Sequence, residues 1–366
     1  PVLDVTAQAE GLLLSAVARK AETEEGGYQA DFRLEADNPT RYAGLDTLSL
    51  DQAILDGMLV YSGGTARFDG TVEVSGVDVP SFKASKVSGP VVATYGEKTV
   101  TARATLSADG AVLPGMAGRV AGARPVLETD ATYDVAGRTL TLRQTSVQGR
   151  AGRVSAVGTV SLGDALGADL SGSFDLDGAK AGLARPIKAS GNFEADRGRT
   201  GLTDISARIN ATRLGDLPAP LSDWASHQAL IDLAGTLQPD TSFTLKRFSA
   251  ESGSLVLTGN GQVSQDRVVS ASADLRAGEA GLAGYRLSGL TGQAAVSGPV
   301  DNLDFRLAIE APQISNETLV FNDIRLGADG TYGSGALAAN ATLNAGTSEG
   351  PLDLNTALRL DGADWQ

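Results

Sequence analysis

The segment Gly346-Thr-Ser348-Glu-Gly350 has the spacing of a nucleophile elbow. That mechanism places a serine on a strand-to-helix turn and needs an acid and a histidine further along the chain. The only histidine, His227, lies before the serine, and no helical pattern follows. The segment therefore reads as a Gly-bounded turn. His227 reads as a surface or cap residue, because a general base needs a positioned nucleophile and an orienting group. Asp175-Leu-Asp177-Gly178 opens like a calcium loop but lacks the further oxygen ligands and closing Glu, so it reads as a strand end and a turn. Gly259-Asn-Gly261 lacks the third glycine and following helix of a phosphate loop and reads as a hairpin turn. Cysteine is absent, which removes disulfides, thiolate metal sites and thiol nucleophiles. The sequence points to no catalytic, metal-binding or cofactor-binding residue.

Composition sets what must position any other site. Hydrophobic residues make up 42% of the 366, too many for a disordered chain. Aromatics are only 5% and glycines number 45, so large side chains to fill a thick core are scarce. The formal net charge of −14 argues against nucleic acid as a partner, since phosphate binding needs a basic footprint. The most apolar run, residues 11–18, is far short of the ~18–20 residues needed to cross a bilayer. The chain reads as an excerpt from a longer protein, with no internal boundary over 1–366 and any membrane anchor or C-terminal domain outside it.

Period-two alternation dominates. Leu303, Phe305, Leu307 and Ile309 alternate with Asp304, Arg306 and Glu310. Val100, Ala102, Ala104 and Leu106 alternate with Thr101, Arg103 and Thr105; Leu140 and Leu142 with Thr139, Thr141 and Arg143; Leu337, Ala339, Ala341 and Leu343 with Ala338, Asn340 and Thr342. Phe243 and Leu245 open a similar run. One dry and one wet face implies antiparallel pairing. Asp69-Gly70, Asp109-Gly110, Gly259-Asn-Gly261 and Asp329-Gly330 read as hairpin turns between such runs. At roughly 10 residues per strand plus turn the chain accommodates about 30–36 strands. Leu48 to Leu59, Leu221 to Leu230 and Ala111 to Ala121 read as short helices. Gly235 to Leu245 and Gly298 to Leu307 are degenerate copies of one unit, which suggests stacked hairpins.

The expected fold is therefore all-β: an elongated stack of short, mostly antiparallel amphipathic strands with a few short helices. The apolar faces either close on each other as a sandwich core or line an open trough that acyl chains could fill. In the second case the lining includes Val100, Leu106, Leu140, Leu142, Phe243, Leu245, Leu303, Phe305, Leu307, Ile309, Leu337 and Leu343. Alternation alone does not separate the two.

The segments 296–326, 243–261 and 140–160 resemble the repeating unit of the TamB family, inner-membrane subunits of the translocation and assembly module, within the AsmA-like group. The resemblance implies a curved β-groove in the periplasm of a Gram-negative bacterium, anchored in the inner membrane. It implies phospholipid acyl chains as cargo, unfolded outer-membrane β-strands as a second cargo, and an outer-membrane barrel of the TamA/BamA type as partner. It implies no catalytic residue. Competing readings are a β-rich adhesin or autotransporter passenger, which would have a filled interior, and a glycan-active β-helix enzyme, which would cluster carboxylates on neighbouring strands.

Overall fold

The computed structural model describes residues 2–21, 27–40, 49–79, 81–162, 166–183, 187–198, 200–213, 228–282, 285–316, 318–333 and 336–360. The fold is all-β. The chain divides into two compact units, residues 1–186 and 187–366.

Unit 1 carries β1 (Val2–Ala9), β2 (Leu12–Lys20), β3 (Tyr28–Asp37), β4 (Gln52–Ser62), β5 (Thr65–Val79), β6 (Phe82–Gly96), β7 (Thr99–Asp109), β8 (Val126–Asp134), β9 (Thr139–Gln148), β10 (Gly152–Leu162) and β11 (Leu166–Asp177). Unit 2 carries β12 (Lys188–Arg197), β13 (Thr203–Thr212), β14 (Gln228–Leu237), β15 (Phe243–Ser252), β16 (Leu255–Val263), β17 (Val268–Leu282), β18 (Tyr285–Pro299), β19 (Asn302–Ser315), β20 (Val320–Gly333), β21 (Ala336–Thr347) and β22 (Gly350–Leu360). Within each unit every strand pairs antiparallel with the one before it, so each unit is a meander.

Tight turns make this topology possible. Gly63 and Gly64 join β4 to β5 with φ of 58° and 79°, and Glu97 and Lys98 join β6 to β7 with φ of 49° and 65°. Two positive φ values give the turn whose twist matches that of the strands it links.

The strands are longer and fewer than the turn signals suggest. Asp109-Gly110 does end β7, with Gly110 at φ 64°. Asp69-Gly70, Gly259-Asn-Gly261 and Asp329-Gly330 instead lie inside β5, β16 and β20. Their glycines serve lateral packing. A Cβ on Gly70 would overlap the Asp56 carbonyl and come 2.6 Å from Cζ of Phe68. Gly235 shows the same device, since a Cβ there would lie 2.5 Å from Cζ of Phe243, whose ring covers the glycine.

The segment read as a helix from Leu48 to Leu59 is mostly β4. Leu50, Ile54, Leu55 and Met58 have helical spacing, but Ala53, Leu55, Gly57, Leu59 and Tyr61 alternate and meet apolar partners on β3 and β5. Pairing on both sides overrides the local pattern. The helix expected at Ala111 to Ala121 is present as α1 (Gly115–Ala121), opening directly after Pro114, and is the one helix described in full. Residues 221–227 of the third expected helix lie outside the described residues, and residues 228–230 begin β14.

No large side chain is fully buried among the described residues. Buried hydrophobic positions are almost all alanines, with Leu287, Leu290 and Ile324 the larger exceptions. A sandwich would bury its Leu, Ile and Phe side chains at close-packed density. The sandwich reading is thus not what either unit shows. On β19, Leu303, Phe305, Leu307 and Ile309 are half-buried while Asp304, Arg306 and Glu310 are exposed, and β12 alternates in the same way.

Candidate functional site

Pairing register turns single alternating strands into continuous rows. Directly opposed residues on neighbouring strands lie ~4.5–5.5 Å apart. In unit 2 the row through Ile309 runs from Gly191 through Ile209, Ile231, Ala250, Leu257, Leu275 and Gly292, then on through Leu326 and Leu343 to Leu354. No polar residue interrupts it over the unit's strands. The row through Phe305 begins at Ala195 and Ile205, passes Leu245, Ala271 and Val296, and ends at Gly330, Ala339 and Leu358. In unit 1 the row through Leu142 passes Leu59, Phe68, Ala93, Ala102 and Ala131 and reaches Leu170 by way of Gly158.

All twelve residues named from alternation are half-buried on these faces. Val100, Leu106, Leu140 and Leu142 lie in unit 1; Phe243, Leu245, Leu303, Phe305, Leu307, Ile309, Leu337 and Leu343 lie in unit 2. The same apolar faces carry many residues that alternation did not single out, including Phe32, Leu34, Leu55, Phe68, Phe248 and Ala250.

Phe248 shows why. The register shifts between Ala234/Gly235 and Leu245, leaving Lys246 as an extra residue on β15. Odd positions Phe243 and Leu245 face the apolar side before the bulge, and even positions Phe248 and Ala250 after it. Arg143 does the same on β9, where Leu140 and Leu142 give way to Thr145 and Val147. Two consecutive charged or polar residues between alternating runs of opposite parity are the signal that locates such a bulge.

The other face is charged. Arg33 and Asp56 are 3.2 Å apart, Arg103 and Asp130 2.7 Å, and Arg208 and Asp232 2.8 Å, each pair directly opposed in register. The hydrogen bond from Arg208 to Asp232 holds the guanidinium above its ordinary pKa. Such exposed pairs add little stability but keep that face wet. Lys246, extruded by its bulge, reaches across β14 to Asp204 on β13 at 2.8 Å. Hydrogen bonds from Lys246 and then from Thr236 hold the Asp204 carboxyl below the ordinary carboxylate value.

No family model and no curated protein matches the chain. What its geometry can do must therefore come from its own residues.

Chemistry finds little footing. Ser348 occupies the turn between β21 and β22, where Glu349 N–H donates to Thr347 Oγ1 at 3.2 Å and Thr347 Oγ1 donates to the Gly350 carbonyl at 2.7 Å. A strand follows, not a helix. His227 lies outside the described residues. Asp177 ends β11, and its Oδ1 accepts the N–H of Ala179 at 3.1 Å. A hollow on the charged face of unit 2 is lined by Asp274, Arg306 and Asp329 among others. The two carboxylates sit on β17 and β20, three strand steps or about 14 Å apart, beyond the ~5–9.5 Å of a glycosidase pair. No group of His, Asp or Glu among the described residues has metal-binding geometry. No helix of the described residues is long and apolar enough to cross a membrane.

Proposed function

We propose that the chain is an apolar β-groove that shelters the acyl chains of phospholipid during movement between membranes, and that it is not an enzyme. The observation that carries this reading is the uninterrupted apolar row through Ile309 over eleven strands, in which no large side chain is fully buried. Burying hydrocarbon against such rows is favourable by ~0.8 kcal/mol per CH₂. The sequence resemblance to the TamB family agrees with this reading. On that basis the chain is part of a periplasmic protein held in the inner membrane by a segment elsewhere, and its partner is an outer-membrane barrel of the TamA/BamA type. Assistance to outer-membrane protein assembly is a second reading. It is favoured by the edge strand β22, which pairs only with β21 among the described strands and leaves Leu354 and Leu358 52% and 48% exposed.

The test is lipid loading of the full chain. Protein is incubated with phosphatidylglycerol vesicles, separated from them by gel filtration, and its bound lipid measured. Phe305→Arg and Leu307→Asp place a charge on the dry face, where lipid tails cannot replace its hydration; both should lose bound lipid. Arg306→Asp changes charge on the wet face and should load like the parent. Equal loading by all three variants would reject the groove as a lipid carrier at this point, provided circular dichroism shows each still folded.

A further inference from the structure

We propose that a row of tyrosines along one rim of unit 1 holds the polar head of a bound anionic phospholipid, with the tail running inward across the aliphatic rows. This rests on the lipid-carrying reading above and adds an orientation to it.

The described tyrosines of unit 1 are not scattered. Tyr28 is opposed by Tyr61; Tyr61 by Ala66; Ala66 by Tyr95; Tyr95 by Val100; and Val100 by Tyr133. All four therefore share one row, at the rim where β4, β6 and β8 end. Tyr28, Tyr61 and Tyr95 are 68%, 51% and 49% exposed. None of the four hydroxyls bonds to another described residue. The next row inward, through Leu59, Phe68, Ala93 and Ala102, carries no hydroxyl. Among the described residues of unit 1, phenylalanine is kept off the tyrosine row and tyrosine off the interior rows. A phenol ring has an apolar body and a polar tip, so it favours a boundary where hydrocarbon meets polar atoms.

The opposite rim has the contrary character. Ala84, Ala108 and Ala111 are buried there, with Val77, Phe82, Val87 and Leu113 packed against them. The cations nearest this cluster, Lys83, Lys86 and Arg124, are already paired with Asp78, Glu73 and Asp109 at 2.7, 2.7 and 3.0 Å.

Charge places the head more narrowly. Lys98 lies in the turn after Tyr95 and Arg138 in the turn after Tyr133, and neither has an ion-pair partner among the described residues. Of the nearby acids, Asp134 spends its Oδ1 on the N–H groups of Ala136 and Gly137, at 2.9 and 3.0 Å, and Glu97 is exposed. Between Lys20 and Tyr28 the sequence is acidic, with Glu22, Glu24 and Glu25. Lys20 directly opposes Tyr28 but borders that acidic run in sequence, whereas Lys98 and Arg138 do not, so an anionic phosphodiester belongs beside Tyr95 and Tyr133. Unit 2 has Tyr332 on its Leu303 row but Tyr285 at the other end of its strands, so the assignment is made for unit 1 alone.

The test uses tryptophan quenching in the full chain with Trp224→Phe and Trp365→Phe as background. A single donor is then introduced as Tyr95→Trp at the tyrosine rim or as Leu12→Trp at the opposite one; Leu14→Trp replaces the latter should circular dichroism show misfolding. Each protein is loaded with phosphatidylglycerol brominated near the head end or near the methyl end of its acyl chains, and freed of vesicles. The ratio of head-end to methyl-end quenching should exceed one at position 95 and fall below one at position 12. The same ratio at both positions, or the reverse order, would overturn the orientation while leaving lipid carriage intact. Absence of quenching at both donors in folded protein that still carries phospholipid in the loading assay would overturn binding by unit 1 and the orientation with it, and absence of bound lipid altogether would overturn lipid carriage.

Discussion

Gly330 faces Phe305 across the ladder, and a Cβ added there would overlap the Ala338 carbonyl and come 2.8 Å from Cα of Ala339. The neighbour is backbone on a paired strand, so it cannot turn aside. Gly346 is different: its nearest neighbour would be the Asn322 carbonyl at 3.5 Å, an ordinary contact. Gly330→Ala should therefore cost about 1–3 kcal/mol, the usual scale for overpacking, and Gly346→Ala close to nothing, read as shifts in the urea midpoint. Asp204 makes a second residue-scale case. Its carboxyl is held below the ordinary carboxylate value by Lys246 and Thr236. A depressed folded pKa gives stability that is present above the unfolded value and is lost as pH falls through the folded one. In Lys246→Met protein the Asp204 carboxyl should titrate at higher pH than in the parent, followed by NMR; an unchanged midpoint would mean that the bulge does not aim the lysine as described.

At the scale of elements, an edge strand decides behaviour. β22 carries Leu352, Leu354 and Leu358 toward the apolar side, pairs only with β21 among the described strands, and holds no lysine. Unpaired backbone beside exposed leucines is a template for further strands. Leu358→Lys should reduce concentration-dependent association in sedimentation velocity while leaving the far-ultraviolet spectrum unchanged. Much of this architecture was legible in the chain. The alternation at Leu303 to Ile309 placed β19 and its faces correctly, because one strand's pattern depends only on its own parity. Element lengths were not legible, since a glycine in a turn and a glycine under Phe243 look alike until the paired strand is known. Bulges were missed for the same reason: the shift at Lys246 shows only when β14 is laid beside β15. The tyrosine row was the least legible, because Tyr61, Tyr95 and Tyr133 are scattered in sequence and aligned solely by register.

The whole molecule should unfold in a way that reflects its uncovered faces. Heat capacity change on unfolding follows newly exposed apolar area, and ordinary globular proteins give ~12–15 cal/mol/K per residue. For 366 residues that is about 4.4–5.5 kcal/mol/K. Here Phe305, Leu307 and Ile309 are only partly buried, and the fully buried hydrophobic set is mostly alanine. The lipid-free chain should therefore fall clearly below that range in scanning calorimetry. Because each strand contacts chiefly its neighbours, nearest-neighbour interfaces dominate, and the transition should also be broad, with a van't Hoff enthalpy well below the calorimetric one. On the proposed lipid-carrying reading, bound phospholipid would supply apolar area that the chain itself lacks and would bind the folded state alone. It should raise the melting temperature in proportion to the logarithm of free lipid and bring the heat capacity change upward. A lipid-free chain that melts in one sharp two-state step within the globular range would show that its apolar faces are covered after all.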